Sequence, residues 1–345
     1  SGRKIGLMQR STMQEAVAAP KMSGIVRLTG FIIRSTILIE LSGAVLLAPV
    51  FCKDFGPARG LWMALFHSIS AFCNAGIDLM GIRVPFSSLT SYAANPLINL
   101  IIMVLIITGG IGFLTWEDIR SNQLHFSRYR MQSKVILTTT AILILFPAIY
   151  FYFGEFRQGS LGTRILLSLF QSVTPRTAGF NTADFSKLSE SGQMLTIILM
   201  LIGGSPGSTA GGMKTTTMAV LVAAAISVFQ RNENPELFRR RIAQETVADA
   251  AAILMMYLSL CLTGAFLISR IEELPMMACM FETASAVGTV GLSFGITPGL
   301  GSISRIILII LMYLGRVGGL TLIYAALSGH RIRFGKYPLE KITVG

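Results

Sequence analysis

Apolar stretches of about twenty residues, separated by short polar or basic segments, set the rhythm of this chain. Windows at 31–51, 97–116, 134–153, 193–228, 246–268 and 303–327 are apolar and long enough to span a bilayer core, which takes about 20 residues of helix. Between the members of each pair lies a shorter helical stretch, at 60–72, 162–174 and 274–286. These are too short to cross, and each leads straight into a glycine-bearing loop. The order outer helix, half-length helix, glycine loop, inner helix therefore occurs three times. Non-helical backbone at membrane depth survives only when buried in protein or lining a water-filled path. Three re-entrant segments of this kind predict an all-α polytopic membrane protein with a central pore.

The three loops carry one pattern. Phe66 to Ile77 reads FHSISAFCNAGI, Phe170 to Phe180 reads FQSVTPRTAGF and Phe281 to Leu292 reads FETASAVGTVGL. Each has Phe, a polar residue, Ser or Thr, a further Ser or Thr two positions on, and a glycine 9 or 10 residues after the Phe. Gly76, Gly179 and Gly291 are 103 and 112 residues apart, the signature of a structural repeat. A fourth copy one period upstream of Gly76 would fall before Ser1. The expectation is thus a pseudo-fourfold ring whose first repeat precedes this sequence. The corresponding division is 1–24 as a connector, 25–120, 121–230 and 231–330 as the second, third and fourth pore repeats, and 331–345 as a tail.

Composition and charge narrow the class. The 345 residues are 52% hydrophobic and 13% charged, with mean hydropathy +0.64; soluble domains carry about 25% charged residues. The net charge of +12 could suggest nucleic acid, but its placement argues against that. Of 29 Lys and Arg, 18 fall in residues 3–34, 120–134, 231–241 and 331–341. Basic segments alternating with weakly charged ones follow the positive-inside rule, so those four regions are cytoplasmic and the glycine loops open to the other side. No aromatic-basic module accompanies the charge, and no nucleic-acid partner is expected. Cys52, Cys73, Cys261 and Cys279 lack metal-ligand spacing and read as buried thiols. No cleavable signal peptide is visible.

Glycine permits the backbone conformations that aim successive carbonyls inward, and rings of carbonyls can replace the hydration shell of a bare cation. The 193–228 span is interrupted by GGSPGSTAGG at 203–212, five glycines and a proline within ten residues. Such a run breaks a helix and is tolerable where the freed groups face a wet cavity. It nearly matches a phosphate-binding loop, but Met213 separates Gly212 from Lys214 and no strand precedes it. Arg316 lies inside an otherwise apolar helix, where a charge costs about 2.5–3.5 kcal/mol on insertion scales. It should face the interior and meet carbonyls around 203–212.

The segments FHSISAFCNAGIDL, TPRTAGFNTADF and SAVGTVGLS resemble those of the Ktr/Trk potassium transporter family, related to plant high-affinity potassium transporters. The likeness covers essentially the whole chain, and GRKIGL with QEA near the start is similar to the segment just after that family's first repeat. The resemblance implies potassium uptake across the plasma membrane by a multi-pass protein. It implies K+ held by backbone carbonyls of Asn74, Ala75, Gly76 and Ile77, of Thr177, Ala178, Gly179 and Phe180, and of Thr289, Val290, Gly291 and Leu292. The interrupted helix would be an intramembrane gate over 203–217, formed by Gly203, Gly204, Ser205, Gly207, Gly211, Gly212 and Lys214, with Arg316 beside it as an electrostatic barrier. Family members work as homodimers with a cytoplasmic nucleotide-binding regulatory ring. No dinucleotide fingerprint occurs here, so that subunit would be a separate polypeptide. No cofactor is expected in this chain. The basic loops 120–134 and 231–241 suit either docking or contact with anionic membrane lipids.

Other polar residues have readings of their own. Lys214 either reaches the cytoplasmic interface or takes part in gating. Arg176 should turn away from the pore and brace its loop on Asp184 or Glu190. Asp78 and Asp184 either concentrate cations at the mouth or cap helices, while Glu40 and Glu282 should brace adjacent loops. Glu117 and Asp118 need no special role, and the glycines at 109, 110 and 112 and at 315, 318 and 319 suit helix–helix contacts.

An ion pore needs no catalytic residue, because inward movement of one charge is favoured by about 2.3 kcal/mol per 100 mV. The alternative is a sodium- or proton-coupled cation symporter, with which a broken mid-membrane helix is compatible. A serine hydrolase around Ser205 or Ser208 would need a base within hydrogen-bond reach. His67, His125 and His330 do not lie on a long span facing that loop, so no enzyme is expected.

Overall fold

The computed structural model describes residues 13–14, 24–123, 125–232 and 234–317. Most of the 1–24 connector, the end of the 303–327 span with Gly318 and Gly319, His330 after it, and the 331–345 tail lie outside the described residues. The rest is mostly helical. The first unit has outer helix α1 (Ile25–Phe55), short helix α2 (Pro57–Phe72), inner helix α3 (Pro96–Gly110) and a further helix α4 (Phe113–Asn122). The second has outer helix α5 (Met131–Gly154), short helix α6 (Leu161–Val173) and an inner pair α7 (Glu190–Leu201) and α8 (Thr215–Phe229). The third has outer helix α9 (Gln244–Glu272), short helix α10 (Met276–Gly288) and inner helix α11, described over Ser302–Val317.

Among the described residues, α1, α5 and α9 are the helices long and apolar enough to cross a membrane unbroken, with 31, 24 and 29 residues. Their outward faces carry Leu38, Val45, Phe146 and Phe266, each 65–70% exposed. Large apolar side chains displayed in this number suit lipid, not water. The 97–116 stretch departs from the expected single span. α3 stops at Gly110, and the chain bends by 98° into α4. The 193–228 stretch is broken as its glycines and proline require, with residues 202–214 between α7 and α8.

One device closes each unit on the glycine-loop side: an acid at the end of the outer helix holds the start of the inner one. Asp54 accepts from the Tyr92 hydroxyl at 2.6 Å, four residues ahead of α3. Glu155 accepts from the Ser189 backbone N–H at 3.0 Å and from its hydroxyl. Glu272 accepts from Gly301 N–H at 2.9 Å and the Ser304 hydroxyl at 2.5 Å. In the second and third units the carboxylate meets an unpaired N–H at the helix start. At the other end, the charged connector folds into a hairpin of β1 (Glu236–Leu237) and β2 (Arg240–Arg241). Its two turn residues, Phe238 and Arg239, have φ of 49° and 60°, as a tight hairpin demands. Phe238 packs edge-on against Phe126, 6.2 Å between ring centres, so the two basic loops form one surface.

Candidate ion pathway

The three glycines meet. A Cβ placed on Gly179 would collide with Val290 O and lie 3.0 Å from the Gly76 Cα; one on Gly76 would lie 2.7 Å from the Gly179 Cα. A Cβ on Gly291 would lie 3.7 Å from the Gly179 Cα. All three line one outward-opening cavity of about 1090 Å³ together with Asp78, Asp184 and Ser293.

Each loop has the same backbone. The glycines have φ of 66°, 81° and 91°, and the residues two before them, Asn74, Thr177 and Thr289, have φ of 50°, 60° and 53°. Such left-handed conformations are ones that L-residues resist and glycine permits. The cost at Asn74, Thr177 and Thr289 is offset by hydrogen bonds that the repeated Ser or Thr supplies. The N–H before each glycine donates to the carbonyl of that residue: Ala75 to Ser70 (2.9 Å), Ala178 to Thr174 (3.1 Å) and Val290 to Ser285 (2.8 Å). Its side chain then reaches across the loop. Ser70 donates to Ile77 O at 2.7 Å, Thr174 to Phe180 O at 2.5 Å, and Ser285 accepts from Gly291 N–H at 3.1 Å.

The polar residue after each Phe clamps the outgoing limb. His67 Nε2 accepts from Leu79 N–H at 3.3 Å, and Gln171 Nε2 donates to the Thr182 hydroxyl at 3.3 Å. Glu282 accepts from the Ser293 hydroxyl (2.6 Å), Phe294 N–H (3.1 Å) and the Thr297 hydroxyl (2.8 Å). The sequence pattern contains His67 and Gln171 but does not reveal their clamp roles, since the partners lie 11 or 12 residues on. The bracing expected of Glu282 is present. Glu40 sits beside the neighbouring short helix, its backbone carbonyl accepting from Ser68 at 2.6 Å.

Residues 202–214 form a loop tied at its neck, with Gly203 N–H donating to Met213 O at 2.8 Å and Thr215 N–H to Gly204 O at 3.0 Å. Its top is pressed against the inner side of the glycine loops. Thr209 donates its hydroxyl to Phe72 O at 2.9 Å, and a Cβ on Gly211 would collide with Thr289 Oγ1. The glycines at 109, 110 and 112, read from sequence as helix contacts, instead engage this loop. Ser205 N–H donates to Gly110 O at 2.9 Å, Thr209 N–H to Gly109 O at 3.2 Å, and Phe113 N–H to Gly207 O at 2.8 Å. The bend at the end of α3 frees the Gly109 and Gly110 carbonyls and the Phe113 N–H that make these bonds. Arg316 reaches the loop, donating to Thr209 O at 3.3 Å. Lys214 folds back onto Ala210 O at 2.8 Å. Ser205 pairs with the Thr215 hydroxyl at 3.0 Å, and no described histidine is bonded to it.

Two expectations are corrected. Arg176 is buried but does not reach Asp184 or Glu190; its guanidinium donates to the Thr140 hydroxyl of α5 at 3.2 Å. Asp184 instead takes the Ser186 hydroxyl at 2.6 Å and N–H at 3.0 Å, with Lys187 Nζ 3.5 Å away. The Ser186 hydroxyl, its N–H and Lys187 hold the Asp184 carboxyl below the usual carboxylate range, against a smaller opposing desolvation. Asp78 caps Met80 N–H at 2.8 Å, so both mouth acids cap turns and line the cavity. Asp118 is buried and has a structural part after all, accepting from Ser133 at 2.6 Å and from Arg130 N–H at 3.1 Å.

Comparison with known proteins gives this arrangement a context. Residues 2–135 and 131–330 match the TrkH family, described as cation transport proteins. The chain is 38% identical over 354 residues to the potassium/sodium uptake protein NtpJ of Enterococcus hirae, covering 99% of this chain and 77% of that one. It is 37% identical over 350 residues to the Ktr system potassium uptake protein B of Bacillus subtilis, covering 100% and 77%. Its fold matches the crystal structure of the potassium transporter TrkH from Vibrio parahaemolyticus with a TM-score of 0.73 and 17% identity, over 92% of this chain and 69% of that one. A multi-pass membrane protein with these matches is a transporter and not an enzyme, and the chain belongs to the TrkH cation transport protein family.

Proposed function

We propose that this protein takes up potassium across the plasma membrane, stripping water from the ion at a ring of glycine-loop carbonyls. The observation that carries the reading is the convergence of Gly76, Gly179 and Gly291, each two residues after a left-handed Asn or Thr. The twelve residues Asn74–Ile77, Thr177–Phe180 and Thr289–Leu292 form the selectivity filter, one segment from each of 25–120, 121–230 and 231–330. K+ is the cargo, and the membrane potential drives it.

The loop at 203–213, with Lys214 and Arg316, is the gate. It lies against Thr289 and the end of α2, on the side of the filter away from the outer cavity. Two cationic side chains on its carbonyls raise the electrostatic barrier there. The protein works as a homodimer with a separate cytoplasmic nucleotide-binding subunit. The basic surface joined at Phe126 and Phe238 suits such a partner, and the Ktr-system relatives supply the precedent for a multi-component uptake system.

Purified protein in liposomes should accumulate rubidium when a negative interior potential is imposed, and Gly179→Ser should abolish it. Wild-type liposomes that take up no rubidium overturn the reading. The name of the Enterococcus relative includes sodium, which keeps a coupled symporter as the second reading. Rubidium uptake that requires an imposed sodium or proton gradient would favour that alternative.

A further inference from the structure

Arg27, Arg34 and Arg120 line one recess of about 770 Å³ between α1 and α4, together with Phe31, Leu38 and Ile39. All three arginines are exposed. Among the described residues none of them has an ion pair or a hydrogen bond; the ion pairs there involve other side chains. The Arg120 guanidinium stacks over the Phe31 ring, 4.8 Å from its centre, which brings a charge of α4 onto the face of α1. No acid lines the recess. Glu40, the first acid along α1, has its carboxyl 3.8 Å from Cys73 Sγ instead. Like charges gathered without a counter-ion repel one another, and a bound anion relieves that repulsion.

The recess lies at the depth of a lipid headgroup. α1 has 31 residues, which is about 46 Å of helix against about 30 Å for the hydrocarbon core. About 20 residues span that core, and counted back from Asp54 near the outer end of α1 they reach Ser35. Arg34 then stands at the inner boundary, and Arg27 about 10 Å beyond it. α4 turns by 98° from α3, so it runs near the membrane plane and carries Arg120 to the same level. A second groove, of about 700 Å³, continues from the recess. It shares Arg34 and Leu38 and runs past Leu41 and Val45 to Leu46. Leu38, Leu41, Val45 and Leu46 are 52–70% exposed. From Arg34 to Leu46 is about 18 Å of helix, close to the hydrocarbon depth of one leaflet, about 15 Å.

We propose that α1 and α4 hold an anionic phospholipid of the cytoplasmic leaflet, its phosphate among Arg27, Arg34 and Arg120 and one acyl chain along Leu38, Leu41 and Val45. The charge and the groove each match one part of that molecule. Guanidinium groups bind phosphate oxygens through paired N–H donors; a zwitterionic headgroup brings its own cation and gains less. The inference rests on the membrane class of the chain and not on the potassium reading. It also has a reach beyond the recess. α4 begins at Phe113, whose N–H donates to Gly207 O at 2.8 Å, so the lipid braces the helix on which the interrupted loop rests.

The test uses the full chain in a neutral detergent, with phosphatidylglycerol, phosphatidylcholine or sn-glycerol 3-phosphate added. Melting temperature and native mass spectrometry of the lipid-bound protein are the readouts. Phosphatidylglycerol should stay bound and raise the melting temperature of wild type, and the other two should do neither. In the triple variant Arg27→Gln, Arg34→Gln, Arg120→Gln the apparent Kd for phosphatidylglycerol should rise about tenfold or more, and each single variant should show part of that loss. Arg239→Gln, Arg240→Gln, Arg241→Gln removes equal charge from the hairpin and should bind as wild type does. Without lipid, the triple variant should melt no lower than wild type, because none of the three arginines donates to a described residue.

An equal loss in the hairpin variant would reveal a diffuse charge effect and overturn the proposal. So would phosphatidylcholine binding as tightly as phosphatidylglycerol, or glycerol phosphate giving the same shift, which would put a soluble anion in the recess. A triple variant that melts well below wild type without lipid overturns it by showing that the arginines hold the fold. Wild type indifferent to every addition does so too, as a recess covered by more polypeptide would be. A triple variant that loses self-association and keeps the lipid would assign this face to a second copy of the chain instead.

Discussion

The three glycine loops and the single interrupted loop are built from similar residues and do opposite things. Each glycine loop is held chiefly from within its own unit, by the Ser or Thr and the polar residue that come after its Phe. The 203–213 loop is tied at its own neck, but its top is held from outside, by Gly109 and Gly110, by the end of α2 and by Arg316. Local bonds that break only with the unit itself make a rigid element. Bonds to neighbours, several of them single N–H to carbonyl links, make an element that can leave. Repetition thus goes with ion coordination and its one exception with control.

The largest expected effect tests the rigid side. Gly179→Ala puts a Cβ against Val290 O at a φ of 81°. Left-handed backbone costs a Cβ-bearing residue about 1–2 kcal/mol, before the collision is counted. At about 1.4 kcal/mol per factor of ten, rubidium uptake should fall on the order of 10- to 100-fold. Gly295→Ala is the control: its φ is 85°, but no atom lies within 4 Å of the new Cβ, and uptake should change little. Equal losses in the two variants would show that strain, not convergence, limits the loop.

The movable side should respond with the opposite sign. Gly211→Ala pushes the loop away from Thr289, and Arg316→Ala removes a donor that holds Thr209 O. Arg316 is exposed and its bond is 3.3 Å long, so its loss should raise flux only about threefold, below the full value of a charged hydrogen bond. Gly211→Ala should raise it further. Adding Gly179→Ala to either should restore the low flux, since an open gate cannot rescue a collapsed ring. Flux unchanged in both single variants would place the gate elsewhere.

Sequence and structure agree most closely where contacts are local. The Phe, polar, Ser or Thr spacing marked all three loops because the hydroxyl and the glycine it serves are 5 or 6 residues apart. The half-length helices were legible for the same reason. The bend after Gly110 was not, because small residues in an apolar run also suit helix packing. Their part appears only when residues 203–213, some hundred positions away, supply the partners. Arg176 misled similarly: nearby acids were the obvious partners, but the fold brings Thr140 of another helix to it. The hairpin at Glu236–Arg241 left little trace in a short charged segment.

A smaller effect grades the rigid loops against one another. Thr174→Val and Ser70→Ala each remove one hydroxyl donor to the carbonyl just past the glycine. One such bond is worth about 1 kcal/mol, so melting should fall by a few degrees and rubidium-over-sodium preference should loosen. Thr174→Ser should keep both. Glu282→Ala should do more than either, because three donors lose one acceptor. If it does less, the clamp in the third unit is not the support of its loop.

The smallest effect lies at the mouth, where Asp184 caps its own turn. Its carboxyl is held below the ordinary range, chiefly by the Ser186 hydroxyl. A depressed folded-state value means the charged form is favoured by folding. The contribution is therefore fully present above the unfolded value, near pH 4, and is lost as pH falls through the lower folded value. Asp184 is 49% exposed, so solvent limits its size. Wild type should melt slightly above Asp184→Asn at pH 7, and the gap should close below about pH 4. A gap that widens with acid would mean that the neutral carboxyl is the bonded form. The mouth acid would then be a hydrogen-bond donor in the fold and could not also serve as a fixed charge for arriving cations.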